Sequence, residues 1–390
     1  MDLPMTLNDG ELRFQMPSRI DTGNATEVTT SLEAKIKEAG AFTTLVLDLE
    51  KTAYVSSVGL RIFLKMKQAH PSFYIDNASV DVYDVLQMTG FTEIMDVRKA
   101  MRVISIEGCP VIGEGFYGKV YRINPDTIVK CYFRGNPVSD IERERRLAQK
   151  AFVLGIPTAI SYDVVKIKEG GYGSVFELID ADSFKKRVLE HPENLDKDIH
   201  AYCKLLDVIA STKVNEEDLP RALDAAYKWL EVDAQDFDAA TNVKLKALVD
   251  SIPDVPFMVH GDCHIKNIFF IGDDPILIDM DTLARGHRIF DLAPIFLTYL
   301  AYELTEPGNS VKFLGIPFDL SEKLFYKTFD GLYPDKSEEE KALIIDKVKL
   351  LGFLLLLWRV HDVDPGNVKR KQLCIDEIKR LSAKLDTLAF

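Results

Sequence analysis

The chain has 390 residues, 47% of them hydrophobic and 28% charged, which is the balance of a folded globular protein and not of a disordered one; the length points to two folding units. A formal net charge of −13 argues against nonspecific adhesion to nucleic acid or to anionic membrane, since both need a basic field, but it leaves room for a nucleotide in a locally basic or Mg²⁺-filled cleft. The 5 cysteines (Cys109, Cys131, Cys203, Cys263, Cys374) form no CxxC pair, favouring free thiols in a reducing compartment.

The chain opens Met1-Asp2-Leu3-Pro4, without the basic start and apolar core of a signal peptide, so a cytoplasmic protein is expected. Residues 11–16 alternate as a strand does, and 25–39 carry helix formers with apolar residues at helical spacing. Residues 44–49 read as a buried strand. Tyr54-Val55-Ser56-Ser57-Val58-Gly59-Leu60-Arg61 and the apolar-periodic run to Ala69 then spell strand, turn and helix, with serine at the N-cap. A strand at 73–75, a helix at 80–88 and a final strand at 102–106 complete about four β/α elements.

This order resembles the STAS domain of anti-anti-sigma factors. The pieces that carry the resemblance are Arg19-Ile20-Asp21-Thr22, the strand ending in Asp48, the Ser56-Ser57-x-Gly59-Leu60 turn and Leu86-x-Met88-Thr89-Gly90-Phe91. It implies an α/β regulatory domain over residues 1–106, phosphorylation at Ser57 and an anti-sigma-type partner. A phosphate there would meet free backbone N–H groups at a helix N-terminus, where negative charge is favoured. The plainer alternative is that both serines only cap the helix, and that Asp21 is a turn residue.

Further along, Gly113-Glu114-Gly115-Phe116-Tyr117-Gly118-Lys119-Val120 fits the G-x-G-x-x-G-x-V hairpin, whose missing side chains let backbone fold over a triphosphate. Residues 127–132 form an apolar strand holding one lysine, Lys130, which needs an anionic partner: nucleotide phosphates and a glutamate from the charged helical run 139–154. Glu144 is the first choice and Glu142 the alternative. The run Ser174-Val175-Phe176-Glu177-Leu178-Ile179 reads as a hinge whose backbone, at Glu177 and Ile179, meets an adenine edge.

The most specific signal is Val259-His260-Gly261-Asp262-Cys263-His264-Ile265-Lys266-Asn267. Asp262 and Asn267 have the D-x-x-x-x-N spacing in which Asp accepts a hydroxyl proton and Asn ligates Mg²⁺. A strand then delivers Asp279 as a second metal ligand, with Asp281 a further candidate. His260 and His264 lie one helical turn apart, but no third nitrogen or sulfur ligand accompanies them, so zinc is not expected.

From about residue 108 the chain resembles the aminoglycoside-phosphotransferase and choline-kinase branch of protein-kinase-like enzymes, with His-Gly-Asp for His-Arg-Asp and Ile-Asp-Met-Asp for Asp-Phe-Gly. The resemblance implies an α+β protein-kinase-like bilobal domain over 107–390. Its β-rich N-lobe would occupy about 107–180 and its helical C-lobe about 181–390. It also implies ATP and Mg²⁺ as cofactors, Asp262 as catalytic base, and Asp291 in Gly286-His287-Arg288-Ile289-Phe290-Asp291-Leu292 as a brace for the catalytic loop. Helices are predicted at 196–213, 219–232, 243–252, 321–329, 338–359 and 369–388, with the apolar run 350–358 buried. Three functions stay open: transfer to a hydroxyl-bearing small molecule, a serine kinase acting on Ser57 or a partner's serine, and a non-catalytic nucleotide-sensing scaffold.

Overall fold

The computed structural model of the chain describes residues 1–114, 118–133, 137–179 and 181–390. Two compact units emerge, Met1–Ser105 with Val165–Gly170, and Ile106–Val164 with Gly171–Phe390.

In the first unit a hairpin, Met5–Asn8 with Glu11–Gln15, edges a sheet whose remaining neighbours, Thr44–Asp48, Phe73–Ala78 and Asp96–Lys99, run parallel. Alternation in Glu11–Gln15 sends Leu12 and Phe14 into the core, against Val28 and Leu32 of helix Ala25–Glu38 and Phe63 and Met66 of helix Ser57–Ala69. Arg13, between them in sequence, takes the other face and donates to Asp48 and Asp76. The expected last strand is a correction: the sheet closes on Asp96–Lys99, and only Val103–Ile104 of 102–106 is strand, outside that sheet.

The second unit begins with an antiparallel sheet in which Val111–Glu114, Gly118–Asn124, Thr127–Tyr132 and Tyr172–Glu177 pair in the spatial order 111–114, 118–124, 127–132, 172–177. Helix Val138–Val153 buries Ile141, Leu147, Ala148 and Ala151 at helical spacing. The rest is mainly helical. Glu338–Val363 starts with a reciprocal capping box between Ser337 and Glu340, and its residues 350–357 are buried throughout. Beside it lies Ile289–Phe296, every residue of which is buried. No helix among the described residues is long and apolar enough to cross a membrane.

Candidate active site

In the second unit a cavity of about 440 Å³ opens between the sheet and the helical part, lined by Gly113, Gly118, Val120, Lys130, Glu144, Glu177, Ile179, Asp262, Asn267 and Asp279. These residues are up to 166 positions apart in the sequence (279 − 113), and the fold gathers them. Gly115 lies outside the described residues, and Asp281 does not line the cavity.

At the sheet, Gly118 has a structural reason to lack a side chain, because a Cβ would collide with the backbone carbonyl of Cys131 on the neighbouring strand. Lys130, paired in register with Val120, points its ammonium to Glu144 Oε1 at 2.9 Å and Asp279 Oδ1 at 3.1 Å. Burial acts to lower its proton affinity, but Asp279 and Glu144 outweigh burial and hold it charged, well above the usual lysine range. Tyr132 also donates to Glu144, at Oε2 and 2.9 Å. Glu142 is exposed and only approaches Arg146, at 4.0 Å, so helix register decides between the two glutamates.

Across the cavity, Asn267 donates its amide to Asp262 Oδ2 at 2.9 Å and to the Asp262 carbonyl at 3.0 Å. With Nδ2 committed in this way, Oδ1 of Asn267 is the atom left free to accept or ligate. The loop that carries Asp262 is held from beneath by Asp291, whose buried Oδ1 accepts the N–H groups of His260 and Gly261, both at 2.8 Å. Burial pushes the Asp291 carboxyl up to about 6, while those two N–H groups pull the other way. Asp279 sits at φ 67, a left-handed conformation that is uncommon for a residue with a side chain and clusters at functional sites. Just beyond it, burial together with the charges of Asp279 and Glu144 pushes Asp281 up to about 7.

His264, considered from sequence only as a zinc ligand, is buried and lines the cavity with Nε2 3.5 Å from Asp262 Oδ1. Its Nδ1 accepts the Lys266 backbone N–H, and burial lowers its proton affinity, so the neutral ring directs its remaining N–H toward Asp262. Lys266 and Phe313 also line the wall; the latter arrives from a segment for which no helix is predicted. The apolar part of the cavity is built by Ile128, Phe176, Phe269, Ile276 and Ile278, a slot with the chemistry of a flat heteroaromatic ring.

The donor set fits Mg²⁺, a cation that takes one or two protein oxygens and completes its shell with phosphate and water: Asp279 supplies a carboxylate, Asn267 an uncommitted amide oxygen, and Lys130 a second positive charge for the phosphates.

Residues 108–308 match the phosphotransferase enzyme family, and residues 2–103 match the STAS domain. The chain belongs to the phosphotransferase enzyme family. It is thus a STAS domain followed by a protein-kinase-like bilobal domain, and an ATP-dependent phosphotransferase. No curated protein matches it. Similar solved structures include aminoglycoside phosphotransferase APH(4)-Ia, 12% identical with TM-score 0.48 over 70% of this chain and 93% of that one. ADP-bound aminoglycoside phosphotransferase APH(2'')-Ib is 12% identical, with TM-score 0.44 over 78% and 96%. A choline/ethanolamine kinase family protein from Mesorhizobium loti is 14% identical, with TM-score 0.44 over 72% and 88%.

In the STAS domain, Ser57 is exposed at the start of helix Ser57–Ala69. The capping expectation needs correction: Ser56 holds the N-cap position but its side chain makes no cap bond, and its Oγ is buried with no partner among the described residues. Asp21 does act as a turn residue, accepting the Gly23 N–H at 2.9 Å.

Proposed function

We propose that residues 107–390 transfer the γ-phosphoryl group of Mg²⁺-ATP to the hydroxyl of a small molecule, and that residues 1–106 are a regulatory module coupled to that activity. The observation that carries this reading is the convergence of Lys130, Glu144, Asp262, Asn267 and Asp279 on one cavity with an apolar slot beside it. In this reading Asp262 Oδ1 takes the acceptor's proton as its oxygen attacks the γ-phosphorus, and the bond to the β-phosphate oxygen breaks to release ADP. Asn267 and His264 fix the angle of that carboxylate. Lys130, braced by Glu144, binds the α- and β-phosphates. Gly113, Gly115, Gly118 and Val120 cover the phosphates, and Glu177 and Ile179 present backbone to the adenine edge. Mg²⁺, held by Asp279 and the Asn267 oxygen, would neutralise charge on the β- and γ-phosphates. Asp281, two residues beyond Asp279, is a further candidate to hold the ion or to position Asp279.

The test is Asp262→Asn, which keeps size and hydrogen bonds but removes the proton acceptor. ATP turnover should fall by about 10²- to 10⁴-fold while AMP-PNP still binds; undiminished turnover would sink the enzyme reading and leave a nucleotide-sensing scaffold. Exposure of the Ser57 hydroxyl at a helix start favours a second reading, a kinase acting on its own or a partner's STAS serine. Labelled ATP should then mark the chain, and Ser57→Ala should remove the mark.

A further inference from the structure

The loop that carries Asp262 and helix Phe184–Glu190 supply two cations, Lys266 and Lys185, that form no ion pair among the described residues. Lys266 follows Asp262 by four residues, lines the cavity and lies with Nζ 4.3 Å from the centre of the Phe313 ring. Two residues after Phe313, Gly315 sits beneath the side chain of Lys185, which lies so close that a Cβ at 315 would strike its ammonium. Phe313 and Gly315 belong to one turn, so Lys185 from helix Phe184–Glu190 and Lys266 from the loop that carries Asp262 lie against the same turn, Lys266 on the cavity wall and Lys185 behind it. Among the described residues neither ammonium makes an ion pair or hydrogen bond, whereas Lys186, one position on, is paired with Asp182. Both are partly shielded from solvent, and burial followed by the charge of Lys185 lowers the proton affinity of Lys266. Two like charges held near one another repel, and an anion between them would relieve that repulsion.

We propose that Lys185 and Lys266 form the acceptor-recognition subsite, so that the small molecule carries, besides its hydroxyl, an anionic group, either carboxylate or phosphate. This rests on the phosphotransferase reading and narrows it. A polycationic acceptor would meet repulsion from both lysines within reach of Asp262, and a neutral polyol would leave them unpaired. The anionic group anchored at the lysines would leave the acceptor hydroxyl facing Asp262, with Phe313 closing the apolar side. Lys266 then acts in specificity and not in the chemical step.

The full-length protein is first titrated with MgAMP-PNP; failure to bind would overturn the phosphotransferase reading itself and not this refinement. With the nucleotide saturating, inorganic phosphate is titrated calorimetrically into the wild type and into Lys185→Gln/Lys266→Gln. The expected result is saturable phosphate binding that the double variant weakens by about 10-fold or more, a loss larger than any in AMP-PNP affinity. No phosphate binding, binding indifferent to the two substitutions, or an equal loss of AMP-PNP overturns the proposal; in the last case the lysines serve the nucleotide. In parallel, glycerate, glycerol 3-phosphate, glycerol and choline are offered with labelled ATP. Preference for glycerate or glycerol 3-phosphate supports the proposal and tells carboxylate from phosphate, while preference for glycerol or choline overturns it. Where none of the four is turned over, the phosphate titration decides alone. Urea unfolding midpoints within error of wild type exclude loss of fold as the cause.

Discussion

Asn267 grips Asp262 twice, through its carboxylate at 2.9 Å and its carbonyl at 3.0 Å, so one amide fixes that carboxylate and keeps its own oxygen uncommitted. Asn267→Ala should therefore lower kcat by at least about 10²-fold and weaken the dependence on Mg²⁺ together. Asn267→Asp, which sets a like charge against Asp262, should move the acidic limb of the kcat–pH profile upward. Steady-state kinetics across pH and Mg²⁺ concentration check both; an Asn267→Ala variant with a normal Mg²⁺ optimum would detach this residue from the metal.

Asp291 carries the backbone of the catalytic loop with one oxygen. Replacing it by Ala strands two buried N–H groups at about 1–3 kcal/mol each, whereas Asn keeps an acceptor. Asp291→Ala should lose both stability and turnover, and Asp291→Asn should retain most of each. Equal damage in the two variants, measured by urea unfolding and ATP turnover, would mean that the negative charge matters more than the acceptor.

Asp233, 1% exposed and with neither carboxylate oxygen hydrogen-bonded among the described residues, is pushed up to about 8 by burial and then by Asp236, against Lys371. Its folded-state value exceeds the unfolded one, so the stability it provides is complete below about pH 4 and is lost as pH rises toward 8. Asp233→Asn should flatten that decline. The gain at pH 8.5 is expected to be about 1–3 kcal/mol, with little change near pH 4; urea unfolding at the two pH values checks it, and an equal shift at both would rule out titration.

Gly59 lies where the first unit's helix Ser57–Ala69 touches its neighbours: a Cβ would come 2.7 Å from Val55 Cγ1, 2.9 Å from Ile20 Cγ2 and 3.1 Å from the Ile20 carbonyl. Gly59→Ala should destabilise this unit by about 1–3 kcal/mol. A thermal unfolding trace should show an earlier transition that MgAMP-PNP does not shift, because the ligand binds elsewhere; an unaltered trace would mean that Val55 and Ile20 yield.

What could be read from the sequence was what chemistry constrains. Asp262, Asn267 and Asp279 declare themselves because phosphoryl transfer fixes both residue type and interval, and Lys130 because a lone cation in an apolar strand demands a partner. Helix Ala239–Asp250 was legible but misplaced, since its start is set by Asp238 accepting the Thr241 N–H and not by the first apolar residue. Ile289–Phe296 escaped because a helix buried on every side has no polar face to give it a period. Edge strands Met5–Asn8 and Asp96–Lys99 lack buried alternation for the opposite reason. Lys185 and Phe313 carry no local signal at all; only tertiary packing brings them towards Asp262, whereas His264 stands two residues from it but nothing in the sequence shows that its ring turns back to that carboxylate.

Glu144 is anchored by two donors, Lys130 and Tyr132, and Tyr132 in turn reaches Ser174 Oγ at 3.3 Å. Any on–off device that worked by swinging helix Val138–Val153 outward would have to break both bonds to Glu144, while Lys130 would keep Asp279 and Tyr132 would keep Ser174. Glu144 therefore ties the position of that helix to the strand that carries Lys130 and Tyr132, and amide exchange along it that is equally slow with and without nucleotide is the signature of a lever held in one position.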